Sequence, residues 1–197
     1  MHSIIALFVA GLFAGSTTFG IISPWSEAAG PAAEEPPERT EMNALTDAAA
    51  SAERREEILW LARVMYSETK IPDEMRLVGW VVRNRVETGF RGKTYKQVAT
   101  SDKQFSGLTP GSPEFEEIIT LNDTRPQNRS WRAALGIAEE VFDAHTASRP
   151  FPATVRHFYS PHALRTVPSW TDAGTLHLTL AAPDGSHSRF AFYDGVK

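Results

Sequence analysis

The chain has 197 residues, is 42% hydrophobic, carries a formal net charge of -4 and contains no cysteine. That length and apolar content suit one domain with its own core plus some additional chain. The lack of cysteine excludes disulfides, thiolate zinc sites, a cysteine nucleophile and a lipid-modified cysteine, and the acidic balance does not fit a nucleic-acid-binding face.

Residues 4–22 carry no charge and are dominated by Ile, Leu, Phe, Ala and Gly. Such a segment reads as the core of a signal peptide or as an N-terminal membrane anchor. Ser26-Glu27-Ala28 supplies a small-x-small cleavage pattern, so residues 1–28 are expected to direct export to the periplasm, envelope or exterior. Residues 29–52 are rich in Ala, Glu and Pro and predict a disordered, solvated linker. The folded domain is expected over residues 53–197.

Ile58, Leu61, Ala62 and Met65 recur at helical spacing, and Leu59, Trp60 and Val64 add a second apolar face. A helix apolar on most sides is a central one. It should end at Glu68 to Lys70, because Pro72 pushes the residue before it out of helical geometry. Pro72 then opens a second helix. Its stripe is Met75, Val78, Gly79, Val82 and Val86, and Gly89 is its stop signal. A short helix is expected over Tyr95 to Thr100. Another should run from Ser112 and Pro113 through Leu121, and another should be capped by Ser130. The last has Ala134, Leu135, Ala138, Val141 and Phe142 facing inward. Val155 to Tyr159 reads as a strand. Leu176 to Leu180 and Ser188 to Tyr193 read as a hairpin around Pro183-Asp184-Gly185. The fold class is α+β, mainly helical with a small C-terminal antiparallel sheet.

Glu68 follows Met65 by three residues, Val64 by four and Leu61 by seven. Its carboxyl therefore projects along an apolar face at a helix C-terminus. The helix dipole and burial both favour the protonated acid there, which suits a general acid. A solvated position just past the helix is the competing assignment. Asn84 interrupts an apolar face of the second helix, and a buried amide needs partners. It either holds a loop or bonds a substrate hydroxyl or acetamido group. Gln104, Phe105 and Ser106 precede Gly107 in an irregular stretch that suits a cleft wall or an ordinary turn. Tyr159 and Trp170 offer flat faces for sugar C–H groups, or belong to the core.

Three blocks together resemble the SleB-type cell wall hydrolase family, which includes spore-cortex-lytic enzymes. They are Leu61-Ala62-Arg63-Val64-Met65-Tyr66-Ser67-Glu68, Trp80-Val81-Val82-Arg83-Asn84-Arg85-Val86 and Gln104-Phe105-Ser106. Phe158-Tyr159-Ser160-Pro161, Pro168-Ser169-Trp170 and His187-Ser188-Arg189-Phe190 are similar to its later blocks. The resemblance implies a lysozyme-like, lytic-transglycosylase-related fold. It also implies that Glu68 is the catalytic acid/base acting on the bond after N-acetylmuramic acid, with peptidoglycan as the partner. Two departures stand out. Thr69-Lys70-Ile71-Pro72 follows the glutamate where many members have Ala-Arg-Gly-Glu, and Tyr159 and Ser160 stand where many have His and Asn.

A single carboxylate suffices if the muramic acid's own C6 hydroxyl is the nucleophile. Water-using glycosidases mostly need two, for which Glu74, Asp73 and Asp102 are the near candidates. No metal or other cofactor is expected. An N-acetylmuramoyl-L-alanine amidase would commonly need zinc, yet the six histidines form no His-Glu-x-x-His motif. No Gly-x-Ser-x-Gly elbow supports a serine hydrolase. A non-catalytic peptidoglycan-binding scaffold is the third alternative.

Overall fold

The computed structural model describes residues 37–124, 128–164, 166–182, 185 and 188–196. The expected export segment, the start of the linker, the Pro183-Asp184 turn positions and His187 lie outside the described residues. The chain divides into two compact units, residues 1–40 and residues 41–197. The core and the candidate site belong to the second.

Five helices and a three-stranded sheet make up the described chain. They are α1 (Pro37–Glu68), α2 (Pro72–Glu87), α3 (Tyr95–Ala99), α4 (Phe115–Thr120), α5 (Arg129–Asp143), β1 (His157–Tyr159), β2 (Thr175–Ala181) and β3 (Ser188–Asp194). The class is α+β, with the sheet at the C-terminal end of the sequence. No described helix is long and apolar enough to cross a membrane.

Helix α1 departs from the expected course. It begins at Pro37, inside the stretch read as disordered linker, and residues 41–56 are exposed along it. The solvated character is there, but the backbone is helical. Ala and Glu have high intrinsic helix propensity, and the segment continues directly into the packed part of the same helix. That packed part ends at Glu68 as the proline predicts. Leu61, Ala62, Val64 and Met65 are completely buried.

Pro72 sits at the start of α2, with Asp73 and Glu74 in its first turn, where negative charge complements the helix dipole. Gly79 marks its closest packing. A Cβ there would lie 2.7 Å from Met65 Sδ and 3.4 Å from Val141 Cγ2, so α2 meets both α1 and α5 at that point. Two expected N-caps are corrected. Helix α4 starts at Phe115 rather than at Ser112-Pro113, because Ser112 instead hydrogen-bonds the Gly107 carbonyl at 3.3 Å. Helix α5 is capped by Asn128 rather than Ser130. The Asn128 side chain accepts from Trp131 N–H at 2.8 Å, the usual geometry in which a cap reaches the third residue on.

The sheet order is β1-β3-β2, antiparallel throughout. Phe190 and Phe192 of β3 turn one face onto the helical core, with Phe151, Phe158 and the fully buried Trp131 among its largest members. Register pairs Phe158 with Phe192 and Tyr159 with Ala191. This places Tyr159 and Ser160 at the end of β1, next to the C-terminus of α1.

These burial patterns separate the two parts of α1 energetically. Leu61→Ala is expected to destabilise the protein by about 2–5 kcal/mol. Leu45→Ala, on the exposed part of the same helix, is expected to change stability by less than about 0.5 kcal/mol. Urea unfolding midpoints of the two variants check this.

Candidate active site

Glu68 is the last residue of α1, and its carboxyl opens into a cleft of about 480 Å³. Its lining includes Ser67, Arg85, Gln104 and Ser106 from the helical part of the chain, and Phe158, Tyr159, Ser160, His162 and Arg189 from β1, the segment after it and β3. Glu68 is the one carboxylate among the described lining residues. Burial drives its pKa up from the usual 4.5 to about 7, against the opposing pull of the Arg85 and Lys70 cations. Neither cation is within ion-pair distance, and no described protein group hydrogen-bonds the carboxyl. Desolvation therefore wins, and the acid keeps its proton close to neutral pH.

The loop after Glu68 is tied down by its own polar residues. Thr69 is buried and its hydroxyl donates to Glu74, while Ile71 N–H donates back to Thr69 Oγ1 at 3.1 Å. Glu74 also accepts two bonds from Arg189 of β3, at 2.6 and 3.1 Å. The short Thr69-Lys70-Ile71-Pro72 turn thus connects α1, α2 and the sheet at the edge of the cleft. Lys70 folds back over the Tyr66 ring at 3.6 Å.

Of the residues singled out from sequence, Glu68, Gln104, Ser106 and Tyr159 come together in the cleft. Trp170 lies beside it. It lines an adjoining cavity of about 410 Å³ that shares Arg85, Gln104 and Phe158 with the first. Its ring meets Tyr159 and Tyr193 edge-on, with centroids 5.8 and 5.4 Å apart. Asn84 and Phe105 are corrections, since neither lines either cavity. Asn84 is fully buried and donates to the carbonyls of Pro152 at 3.1 Å and Val155 at 2.8 Å, and it accepts from Arg149 at 2.9 Å. It is a loop holder. Phe105 is a core residue under the Arg85 guanidinium.

No family model, curated protein or solved structure matches the chain.

The proposed second carboxylates separate clearly. Asp73 is exposed and pairs with Arg76, and Glu74 is consumed by Arg189 and Thr69. Asp102 is exposed and lines the adjoining cavity but not the Glu68 cleft. Among the described residues no group of three or more His, Asp or Glu side chains is gathered as a metal-ligand set.

Sequence reasoning did not single out Arg85 or Arg189. Arg85 carried the same signal as Asn84: it follows Val82 by three residues, Val81 by four and Val78 by seven on a buried face. Arg189 gave no such signal, because it reaches Glu74 only through the packing of β3.

Two stability measurements test these assignments. The Glu68 carboxyl titrates near 7 folded and near 4.5 unfolded, so the native state holds the proton more tightly between those values. Stability should then fall as pH rises from 4.5 to 7 and level off above. Glu68→Gln should equal the parent below pH 4.5 and exceed it by up to roughly 3 kcal/mol above pH 7, read from urea midpoints across pH. Asn84→Ala should cost about 2–4 kcal/mol at every pH, because it strands two loop carbonyls and Arg149.

Proposed function

We propose that the cleft cleaves the glycan strands of peptidoglycan by a lytic-transglycosylase reaction, with Glu68 as the single acid and base. The observation that carries this is a single carboxyl among the described residues lining the cleft, with its pKa raised to about 7. The SleB-like order of blocks along the chain supports the same reading and brings with it a lysozyme-like fold and export to where the substrate lies.

In the first half of the reaction Glu68 donates its proton to the glycosidic oxygen that links N-acetylmuramic acid to the next N-acetylglucosamine. The C1–O bond breaks and the leaving sugar departs as an alcohol. The Glu68 carboxylate then removes the proton from the muramic acid C6 hydroxyl, O6 bonds to C1, and a 1,6-anhydro ring closes. The proton returned to Glu68 restores the starting acid. Holding C6–OH and C1 in one sugar supplies the proximity that a separate nucleophile would need. No second carboxylate is required. Gln104 and Ser106 offer hydrogen bonds to hydroxyl or acetamido groups on one wall, and Tyr159 offers an aromatic face on the other.

Digestion of purified sacculi by the full chain, followed by mass spectrometry of the soluble products, tests the reading. The parent should release anhydro-ended muropeptides, and Glu68→Gln should lose at least about 100-fold in rate. Muropeptides with reducing ends would replace the transglycosylase step by hydrolysis and turn attention to Asp102. Free peptides would indicate an amidase. Binding without products from either protein would indicate a scaffold. Because the reaction starts from protonated Glu68, kcat/KM should fall as pH rises above about 7.

A further inference from the structure

The cavity adjoining the Glu68 cleft has an electrostatic character that the reaction does not use. Arg85, Arg91 and Lys103 line it against one acid, Asp102. Arg156 adds to the same positive field, since both Arg85 and His157 feel its repulsion together with that of Arg91. His157 supplies no compensation. It is buried and neutral at ordinary pH, with its pKa pushed down to about 4 first by burial and then by these arginines. Like charges gathered beside a buried wall are costly unless an anion joins them.

Two further observations point to a ligand. Arg85 is only 4% exposed, and its Nε is satisfied by the Arg156 carbonyl at 2.7 Å. Its Nη1, however, has no hydrogen-bond partner among the described residues, and neither has His157 Nδ1. A buried guanidinium N–H without an acceptor is rare in a folded protein. Secondly, Arg91 and Lys103 are the two described non-glycine residues with positive φ, at 66° and 54°. The left-handed region favours glycine, yet both positions carry a cation, and both line this one cavity.

We propose that this cavity is an oxyanion subsite that takes a carboxylate on the muramoyl substituent of the glycan strand, held by Arg85, Arg91 and Lys103. This rests on the glycan-cleaving reading of the neighbouring cleft. The two cavities share Arg85, Gln104 and Phe158, so a substituent that leaves a sugar at Glu68 past these residues enters this cavity next. The anions nearest a scissile bond in that polymer are the muramoyl lactyl carboxylate of a bare sugar and the carboxylates of its stem peptide. A neutral substituent can offer Arg85 Nη1 a carbonyl oxygen, but it leaves the excess positive charge of the cavity uncompensated and is disfavoured.

Calorimetric titration of the full chain with three sugars tests this: N-acetylmuramic acid, its lactyl amide, and N-acetylmuramoyl-L-alanine. At low salt, at least one of the two acids should bind about tenfold or more tightly than the amide. The tighter of the two acids identifies a lactyl or a peptide carboxylate as the source. The exposed double variant Arg91→Gln/Lys103→Gln, shown folded by circular dichroism, should lose that preference and keep the amide's affinity. Equal binding of acids and amide overturns the subsite and leaves the glycan reading intact. An acid preference that survives in the double variant also overturns it. Failure of all three sugars to bind, when Glu68→Gln binds no sacculi either, overturns the glycan reading itself and the subsite with it.

Discussion

The arrangement of the site depends on two adjacent polar side chains buried in helix α2, Asn84 and Arg85. Both sit among the buried apolar residues Val78, Trp80, Val81 and Val82, where an amide or guanidinium must find partners or lose several hydrogen bonds. The partners come from far along the chain: the carbonyls of Pro152, Val155 and Arg156, and the side chain of Arg149. Satisfying those groups fixes the segment that leads into β1. Tyr159 and Ser160 are thereby held across from Glu68, and the cleft has two walls instead of one.

Two neighbouring carboxyls, one at the end of α1 and one at the start of α2, show how environment divides the work of similar residues. Glu74 and Glu68 lie six positions apart, Glu74 buried and Glu68 partly so. Glu74 accepts from Arg189 and Thr69, so its charge is compensated and it becomes a structural link between α2, the α1–α2 turn and β3. Glu68 has cations at a distance and no donor in contact among the described residues. Its ionised form is therefore the less stable one until pH reaches about 7. Chemical identity is equal, and hydrogen bonding decides which carboxyl holds the protein together and which is free to exchange a proton.

The turn between α1 and α2 departs from the pattern that the early blocks resemble, and its geometry gives that departure a physical meaning. A longer loop could reach over the cleft. Here Thr69 is drawn into the core by Glu74, and Pro72 starts the next helix immediately. The turn at the α1 end of the cleft is consequently short, and its lysine lies over the Tyr66 ring.

Much was legible from the chain alone. The end of α1 at Glu68, the start of α2 at Pro72, the short α3 and the C-terminal hairpin follow from apolar periodicity, proline and turn chemistry, which are local properties. So does the suspicion that Glu68 is a buried acid, because three apolar neighbours at helical spacing put it on a covered face. Local signals failed where competing choices were close in energy. Ser112 and Ser130 carry cap chemistry, but α4 starts later, at Phe115 without a side-chain cap, α5 is capped by Asn128, and Ala-Glu-rich sequence is helical where composition alone suggests open chain. Whether a polar residue in an apolar stripe faces substrate or a loop cannot be decided locally. Asn84 and Arg85 carry the same signal, yet Asn84 is used up by two carbonyls and the Arg149 guanidinium while Arg85 lines two cavities. Likewise Phe105 lies beside Gln104 and Ser106 in sequence but turns into the core. Those outcomes depend on groups some 70 residues away and on which side of a strand they arrive, and only the tertiary packing sets that.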